Sequence, residues 1–285
     1  MRLTGLIPPI VTPLRDGRID EDSIERVINY LAPSVAGFLV GGSVGEHPSL
    51  SLEERLAVVR AVARCKSADH SLVANVSDNC IGTSLRIAAE AEEVGADMLI
   101  VSAPNYYTNT MPMVTAFLSA LAENTSRDLC LYDNPIATHT AFTGHDLAEL
   151  AAAVPRLTHI KVTDLAPDKV AWLREHTALT VLAGDDAGLW RMLIRGAHGA
   201  MVGLPMIYPE ESRTMWTALQ NGQQEEAAQI YRGCANFLHV ALGAADYVQV
   251  IKTVLHARGV IRSTETRLPL SALDELRRAE VLAAL

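Results

Sequence analysis

The sequence predicts a (β/α)8 barrel with a helical extension at its C-terminus. Three observations carry the prediction. Eight short, almost continuously apolar segments alternate with amphipathic ones. Those apolar segments are unbroken, as in parallel strands covered by helices on both faces. From Asn221 onward the alternation stops and only helical periodicity remains. Eight strand–helix units are the number that closes a barrel. A doubly wound open sheet is the competing architecture, but no Gly-x-Gly-x-x-Gly follows the first strand. The predicted organisation is a barrel over residues 1–222 and a helical subdomain over 223–285.

Each element follows from local pattern. Leu6–Thr12 reads as the first strand, with its prolines at the barrel's edge. Asp20–Leu31 reads as a helix, with Ile24, Val27, Ile28 and Leu31 on one stripe. Gly37–Val40 is the second strand. Ser51 then caps a helix that runs to about Arg64, with Glu54 completing a capping box. The remaining strands are Ser71–Val76, Met98–Val101, Leu129–Tyr132, Thr158–Val162, Leu179–Ala183 and Gly199–Val202. Between them lie a helix to Val94 and helices over Met113–Ala122, Gly144–Ala153, Lys169–Glu175 and Gly188–Arg195. A further helix starts near Glu210. Val94-Gly95 and Arg195-Gly196 mark glycine helix ends. The extension reads as helices over Gln223–Leu242, Ala245–Arg258 and Leu270–Ala284.

Composition narrows the function. The 285 residues are 49% hydrophobic, enough for a large core. The formal net charge of −9 argues against nucleic acid and anionic membrane as partners. The N-terminal Met1–Pro9 lacks the apolar run of a signal peptide, and no apolar stretch is long enough to span a membrane. Cys65, Cys80, Cys130 and Cys234 are scattered without a CxxC pair, which suits a reducing cytoplasm better than disulfides or zinc. There is no HExxH, GxSxG or lysine-containing P-loop, and no cofactor or metal is implied.

Barrel enzymes carry their chemistry at the C-terminal ends of the strands. The polar residues there are Ser43 and Glu46 after strand two, Ser77 and Asp78 after three, and Tyr106 and Tyr107 after four. Tyr132 and Asp133 follow at five, Lys161 and Thr163 at six, and Asp185 and Asp186 after seven. Lys161 interrupts an otherwise apolar strand. Lysine is rarely buried unless paired or functional, and burial favours the neutral amine that attacks carbonyls. The alternative is a lysine at a frayed strand end reaching solvent, and periodicity alone does not separate the two. Tyr132, one strand over, fits a proton shuttle or a core aromatic. Gly42-Ser43-Val44-Gly45-Glu46 fits a loop whose N–H groups cradle a carboxylate, or an ordinary tight turn.

Together these residues resemble the dihydrodipicolinate synthase/N-acetylneuraminate lyase family. The resemblance covers the whole chain and rests on Gly42-Ser43-Val44-Gly45-Glu46, Tyr106-Tyr107, Tyr132-x-x-Pro135 and Lys161, in that order. It implies that Lys161 forms a Schiff base with a 2-keto acid and that Tyr132 shuttles protons. It further implies that Ser43 relays protons to Tyr107, and that Tyr107 looks into a neighbouring subunit of a homotetramer built as a dimer of dimers. It implies, too, that the N–H groups of Ser43 and Val44 hold the substrate carboxylate. Val44, Gly45, Thr163, Gly184, Asp186 and Gly203 are the substrate-binding candidates.

Three departures bear on the substrate. Ala137, flanked by Ile136 and Thr138, stands where the synthases carry an arginine for a distal carboxylate, so the bidentate guanidinium fork is missing. Ala187 and Leu204 stand where the sialic acid lyases carry Glu and Ser. The distal end instead offers Asp133, Thr138, His139, Asp164, Asp185 and Asp186, which accept hydrogen bonds from hydroxyls and repel carboxylates. The expected activity is thus that of a class I aldolase or dehydratase, with a 2-keto-3-deoxy sugar acid, or pyruvate and a neutral aldehyde, as substrate. Two other readings are a barrel that binds a 2-keto acid without turnover, and a phosphate-binding barrel. The first leaves the nucleophile unexplained, and the second lacks a cation after strands seven and eight.

Overall fold

The computed structural model describes residues 3–285; Met1 and Arg2, which open the N-terminal reading above, lie outside the described residues. Eight parallel strands make up one sheet: β1 (Gly5–Leu6), β2 (Gly37–Val40), β3 (Ser71–Asn75), β4 (Met98–Ser102), β5 (Asp128–Asp133), β6 (Leu157–Val162), β7 (Thr180–Ala183) and β8 (Gly199–Ala200). Their order is β1-β8-β7-β6-β5-β4-β3-β2. A parallel bridge between Pro9 and Leu39 joins the chain beyond β1 to β2. This is the predicted (β/α)8 barrel.

The first strand is shorter than predicted. Proline has no N–H, so Pro8 and Pro9 cannot extend the ladder as donors. Pro8 instead accepts from Leu39 N (3.0 Å), and Ile10 N donates to Leu39 O (3.0 Å). A hairpin of Leu14–Arg15 with Arg18–Ile19 was not anticipated. Its Asp16-Gly17 turn has positive φ at both residues (52° and 71°), a hairpin signal of the Asp-Gly type.

Two compact units are present. The first comprises Ser71–Met201 with the segment ending at Gly5. Here β3 to β8 alternate with α3 (Ile81–Glu93), α4 (Met111–Glu123), α5 (Gly144–Ala153), α6 (Pro167–His176) and α7 (Leu189–Ile194). Gly95 and Gly196, at φ of 79° and 93°, close α3 and α7 as expected. A one-turn helix, Pro135–Thr138, follows β5.

The second unit comprises Leu6–His70 and Val202–Leu285. It holds β2 and two N-terminal helices, α1 (Glu21–Leu31) and α2 (Leu52–Cys65). Asp20 caps the first, and Ser51 with Glu54 makes both bonds of the predicted capping box on the second. The predicted C-terminal helices are present as Gln224–Ala241, Tyr247–Ala257 and Glu275–Ala283. The last begins later than predicted because Asp274 caps it, accepting from Arg277 N (2.7 Å). No helix among the described residues is long and apolar enough to cross a membrane.

Candidate active site

Lys161 lies in β6, and its side chain is buried at 4% exposure rather than reaching solvent. Across the parallel ladder it pairs with Tyr132 of β5 and with Leu182 of β7. Paired residues of parallel strands share a face, which places Lys161 and Tyr132 side by side. The Lys161 Nζ sits 4.0 Å from the centroid of the Tyr132 ring. Gly184, just past β7, makes room for it. A Cβ at that position would lie 2.7 Å from Lys161 Cγ, 2.5 Å from Thr163 Oγ1 and 2.8 Å from Val162 O. The Thr163 hydroxyl in turn donates to Gly184 O (3.4 Å). Three candidates from two segments, Lys161 and Thr163 at the end of β6 and Gly184 past β7, therefore lie together, with Tyr132 against the amine.

The chain has four lysines. Lys66 donates to the His70 carbonyl. Lys169 bridges Asp133 and Asp164, and Lys252 pairs with Glu46. Lys161 is the buried lysine that makes no ion pair among the described residues. An unpaired buried amine carries a desolvation cost that structural stability does not explain, whereas nucleophilic chemistry requires such a group.

The opposite face of the same strands carries a different arrangement. Asp133 follows Tyr132 and so points the other way, towards α6. It is fully buried, and Lys169 Nζ of α6 donates to its Oδ2 (2.8 Å) while also contacting Asp164 Oδ2. Burial pushes the Asp133 carboxyl up to about 6, with the Lys169 charge offsetting only part of the shift. Desolvation alone would lower Lys169, but the two carboxylates outweigh it and hold the ammonium above its ordinary value. Asp133 and Asp164, expected to accept substrate hydroxyls, are instead committed to an internal ion triad.

Other distal candidates also have local partners. Asp185 Oδ1 accepts from Gly188 N (2.9 Å) in the turn into α7. The Thr138 hydroxyl donates to Asn134 O (2.9 Å). Asp186 is buried, whereas His139, at φ 53°, is exposed. Ala137, Ile136 and Leu165 are exposed as well, so the loops after β5 and β6 present apolar side chains. Tyr106 and Tyr107, in the loop after β4, are 79% and 70% exposed and stand edge to face with centroids 5.0 Å apart.

In the second unit, the glycine-containing loop after β2 is held tightly. A Cβ on Gly45 would come within 3.0 Å of Ile10 O. The Thr12 hydroxyl donates to Gly45 O (2.7 Å), and Glu46 N donates to Ser43 O (3.0 Å). Ser43 is exposed and Val44 buried. Glu46 adopts left-handed backbone (φ 61°), uncommon for a residue with a side chain. Its carboxylate is held by Lys252 Nζ (2.5 Å) and by Arg267 N (2.7 Å), and both charged side chains of the ion pair are fully buried. Desolvation lowers the Lys252 ammonium more than Glu46 raises it. Glu46 is thus neither a solvent-facing loop acid nor a bare acceptor. Gly203 lies against Tyr247, whose hydroxyl would be 2.4 Å from a Cβ there. Lys169 and Lys252 escaped the sequence reading. The signal for Lys252 was a charge set within Val250, Ile251, Val254 and Leu255 of one helix.

The chain is similar to known proteins along its whole length. The profile of the dihydrodipicolinate synthetase family matches residues 2–285. The 4-hydroxy-tetrahydrodipicolinate synthase of Sulfurihydrogenibium sp. is 29% identical over 95% of this chain and 93% of its own length. That of Persephonella marina is 28% identical over 93% and 92%. Among solved structures, YagE, an E. coli K12 prophage protein of the dihydrodipicolinic acid synthase family in complex with pyruvate, superposes with a TM-score of 0.93. It is 25% identical, with 98% of this chain and 96% of that one covered. A putative dihydrodipicolinate synthetase from Pseudomonas aeruginosa shares the fold at a TM-score of 0.95 and 23% identity, over 100% and 99%.

Proposed function

The chain belongs to the dihydrodipicolinate synthetase family, and from that premise we propose that it is a Schiff-base-forming lyase acting on a pyruvate-type 2-keto acid through Lys161. The observation that carries the reading is the buried Lys161 amine lying 4.0 Å over the Tyr132 ring without a carboxylate partner. The amine attacks the C2 carbonyl and water leaves, giving a protonated imine that withdraws electrons from C3. With pyruvate alone, a methyl proton leaves C3 to give the enamine and a proton returns. In a cleaving reaction, Tyr132 takes the C4 hydroxyl proton, the C3–C4 bond breaks, and its electrons pass to the imine as an aldehyde departs. Ser43, Val44 and Tyr107 keep the roles the resemblance gives them, as do Gly45, Asp186 and Gly203 as substrate contacts. A cytoplasmic homotetramer belongs to the same proposal, and the exposed Tyr106-Tyr107 pair supports it as an apolar surface suited to burial by a second copy.

The second substrate, or the distal half of a cleaved one, is proposed to be a neutral aldehyde or the matching part of a 2-keto-3-deoxy sugar acid. Ala137 supplies no guanidinium, and Lys169 is already paired. The relatives' names favour a second reading, 4-hydroxy-tetrahydrodipicolinate synthase. Comparing neutral with carboxylate-bearing aldehydes as pyruvate acceptors separates the two.

The covalent step is tested by borohydride reduction in the presence of pyruvate and mass mapping of the four lysine peptides. A reduced adduct on the Lys161 peptide, absent in Lys161→Ala, is expected. No adduct with pyruvate or longer 2-keto acids would remove the covalent reading and leave a 2-keto-acid-binding protein. Gly184→Ala probes the same step from the neighbouring strand. Its methyl would clash with Val162 O, a backbone atom that cannot rotate away, and with the Lys161 stem. A displacement of about 1 Å at a reacting atom can cost on the order of 10²-fold, so trapping by this variant should slow by about that factor.

A further inference from the structure

We propose that Lys169 is a positioning residue for this reaction, fixing the strand ends that carry Tyr132 and Lys161 by drawing Asp133 and Asp164 together from behind. The proposal rests on the Schiff-base reading and concerns a residue that touches neither substrate nor the reacting atoms.

The geometry starts with sequence parity. Tyr132 and Asp133 are consecutive in β5, so the side chain that faces Lys161 and the side chain that faces α6 hang on one backbone segment. The backbone already links this segment to β6, because Thr163 N donates to Asp133 O (3.0 Å). Lys169 adds a side-chain link across the same two ends, to Asp133 at the end of β5 and to Asp164 three residues beyond Lys161. Its own backbone sits in the first turn of a regular ten-residue helix, so the link is anchored to a rigid element. The backbone bond and the two Lys169 contacts thereby hold from behind the strand ends from which Tyr132 and Lys161 project.

Two physical arguments favour positioning over simple stabilisation. A cation in the first turn of a helix is opposed by the macrodipole, so Lys169 occupies a place where a lysine is intrinsically disfavoured. Buried ion pairs are also no more stabilising than well-packed apolar groups of similar volume. Stability alone therefore gives no reason to retain three charges here, whereas fixed geometry does.

The test uses pyruvate alone, read in two ways. Borohydride trapping reports imine formation at Lys161, and exchange of the pyruvate methyl protons in D2O, followed by proton NMR, reports the C3 proton transfer. Lys169→Met should trap pyruvate fully at Lys161 yet exchange roughly 10- to 100-fold more slowly, as expected for a misplaced shuttle. In a Tyr132→Phe background the same change should have less than about a twofold further effect, since residues acting as a unit are non-additive. If Lys169→Met leaves two buried carboxylates that prevent folding, Asp133→Asn with Lys169→Met removes both the cation and one anion, and the same comparisons are made with that pair. Full-rate exchange, or an equal drop in both backgrounds, overturns the proposal while leaving the Schiff-base reading intact. A wild-type protein that neither traps pyruvate nor exchanges its protons overturns that reading, and this proposal with it.

Discussion

Tyr132→Phe is expected to slow pyruvate methyl exchange and turnover by about 10²–10⁴-fold, the usual contribution of a positioned proton-transfer group. Imine formation should survive, because the phenylalanine ring keeps the contact with Lys161 Nζ and removes only the hydroxyl. The variant thus separates two steps that Lys161→Ala abolishes together. Borohydride trapping at the wild-type extent with slow exchange places the tyrosine in proton transfer. Exchange at the wild-type rate would show that another group moves the proton, and Tyr132 would then be a packing residue beneath the amine.

The second large effect is on stability. Glu46→Ala leaves the Lys252 ammonium in a fully buried position without its partner. Breaking a buried pair on one side typically costs about 3–5 kcal/mol, a large share of the stability of an ordinary domain. Among the described residues, Lys252 then keeps the Glu265 carbonyl (2.6 Å) as acceptor. Urea denaturation should show a loss in that range. Glu46→Gln combined with Lys252→Met should recover most of it, because neither charge then remains. A single variant with unchanged stability would mean that water reaches Lys252 and that the pair is weaker than its burial indicates.

The fold was legible in the sequence because its determinants are local. Strand positions follow from unbroken apolar runs, and the Ser51/Glu54 cap and the closing glycines act within a few residues. Where the reading failed, the cause was long-range or a matter of parity. Lys252 and Glu46 are far apart in the chain, so no window reveals the pair. Asp133 was different, because its misassignment could have been avoided. Once Tyr132 and Lys161 are placed on one face, alternation sends Asp133 to the other, where it meets Lys169. Collecting polar residues at strand ends ignored that alternation. For Lys161 itself the pattern left open whether its side chain is buried or reaches solvent from a frayed strand end, and the structure buries it beside Tyr132 and Gly184.

Gly184 also constrains how such a site can arise or be moved to another barrel. The space for the Lys161 stem is not made by Lys161's own strand; it is the missing side chain past the next one. A lysine introduced at this position opposite alanine or any larger residue would be pushed aside or prevented from seating, and would gain no reactivity from its burial. The glycine alone, opposite an aliphatic residue, would leave a gap with no benefit of its own. The two positions are therefore epistatic. The order of change that keeps every intermediate folded puts the glycine first, with the lysine arriving into space that already exists.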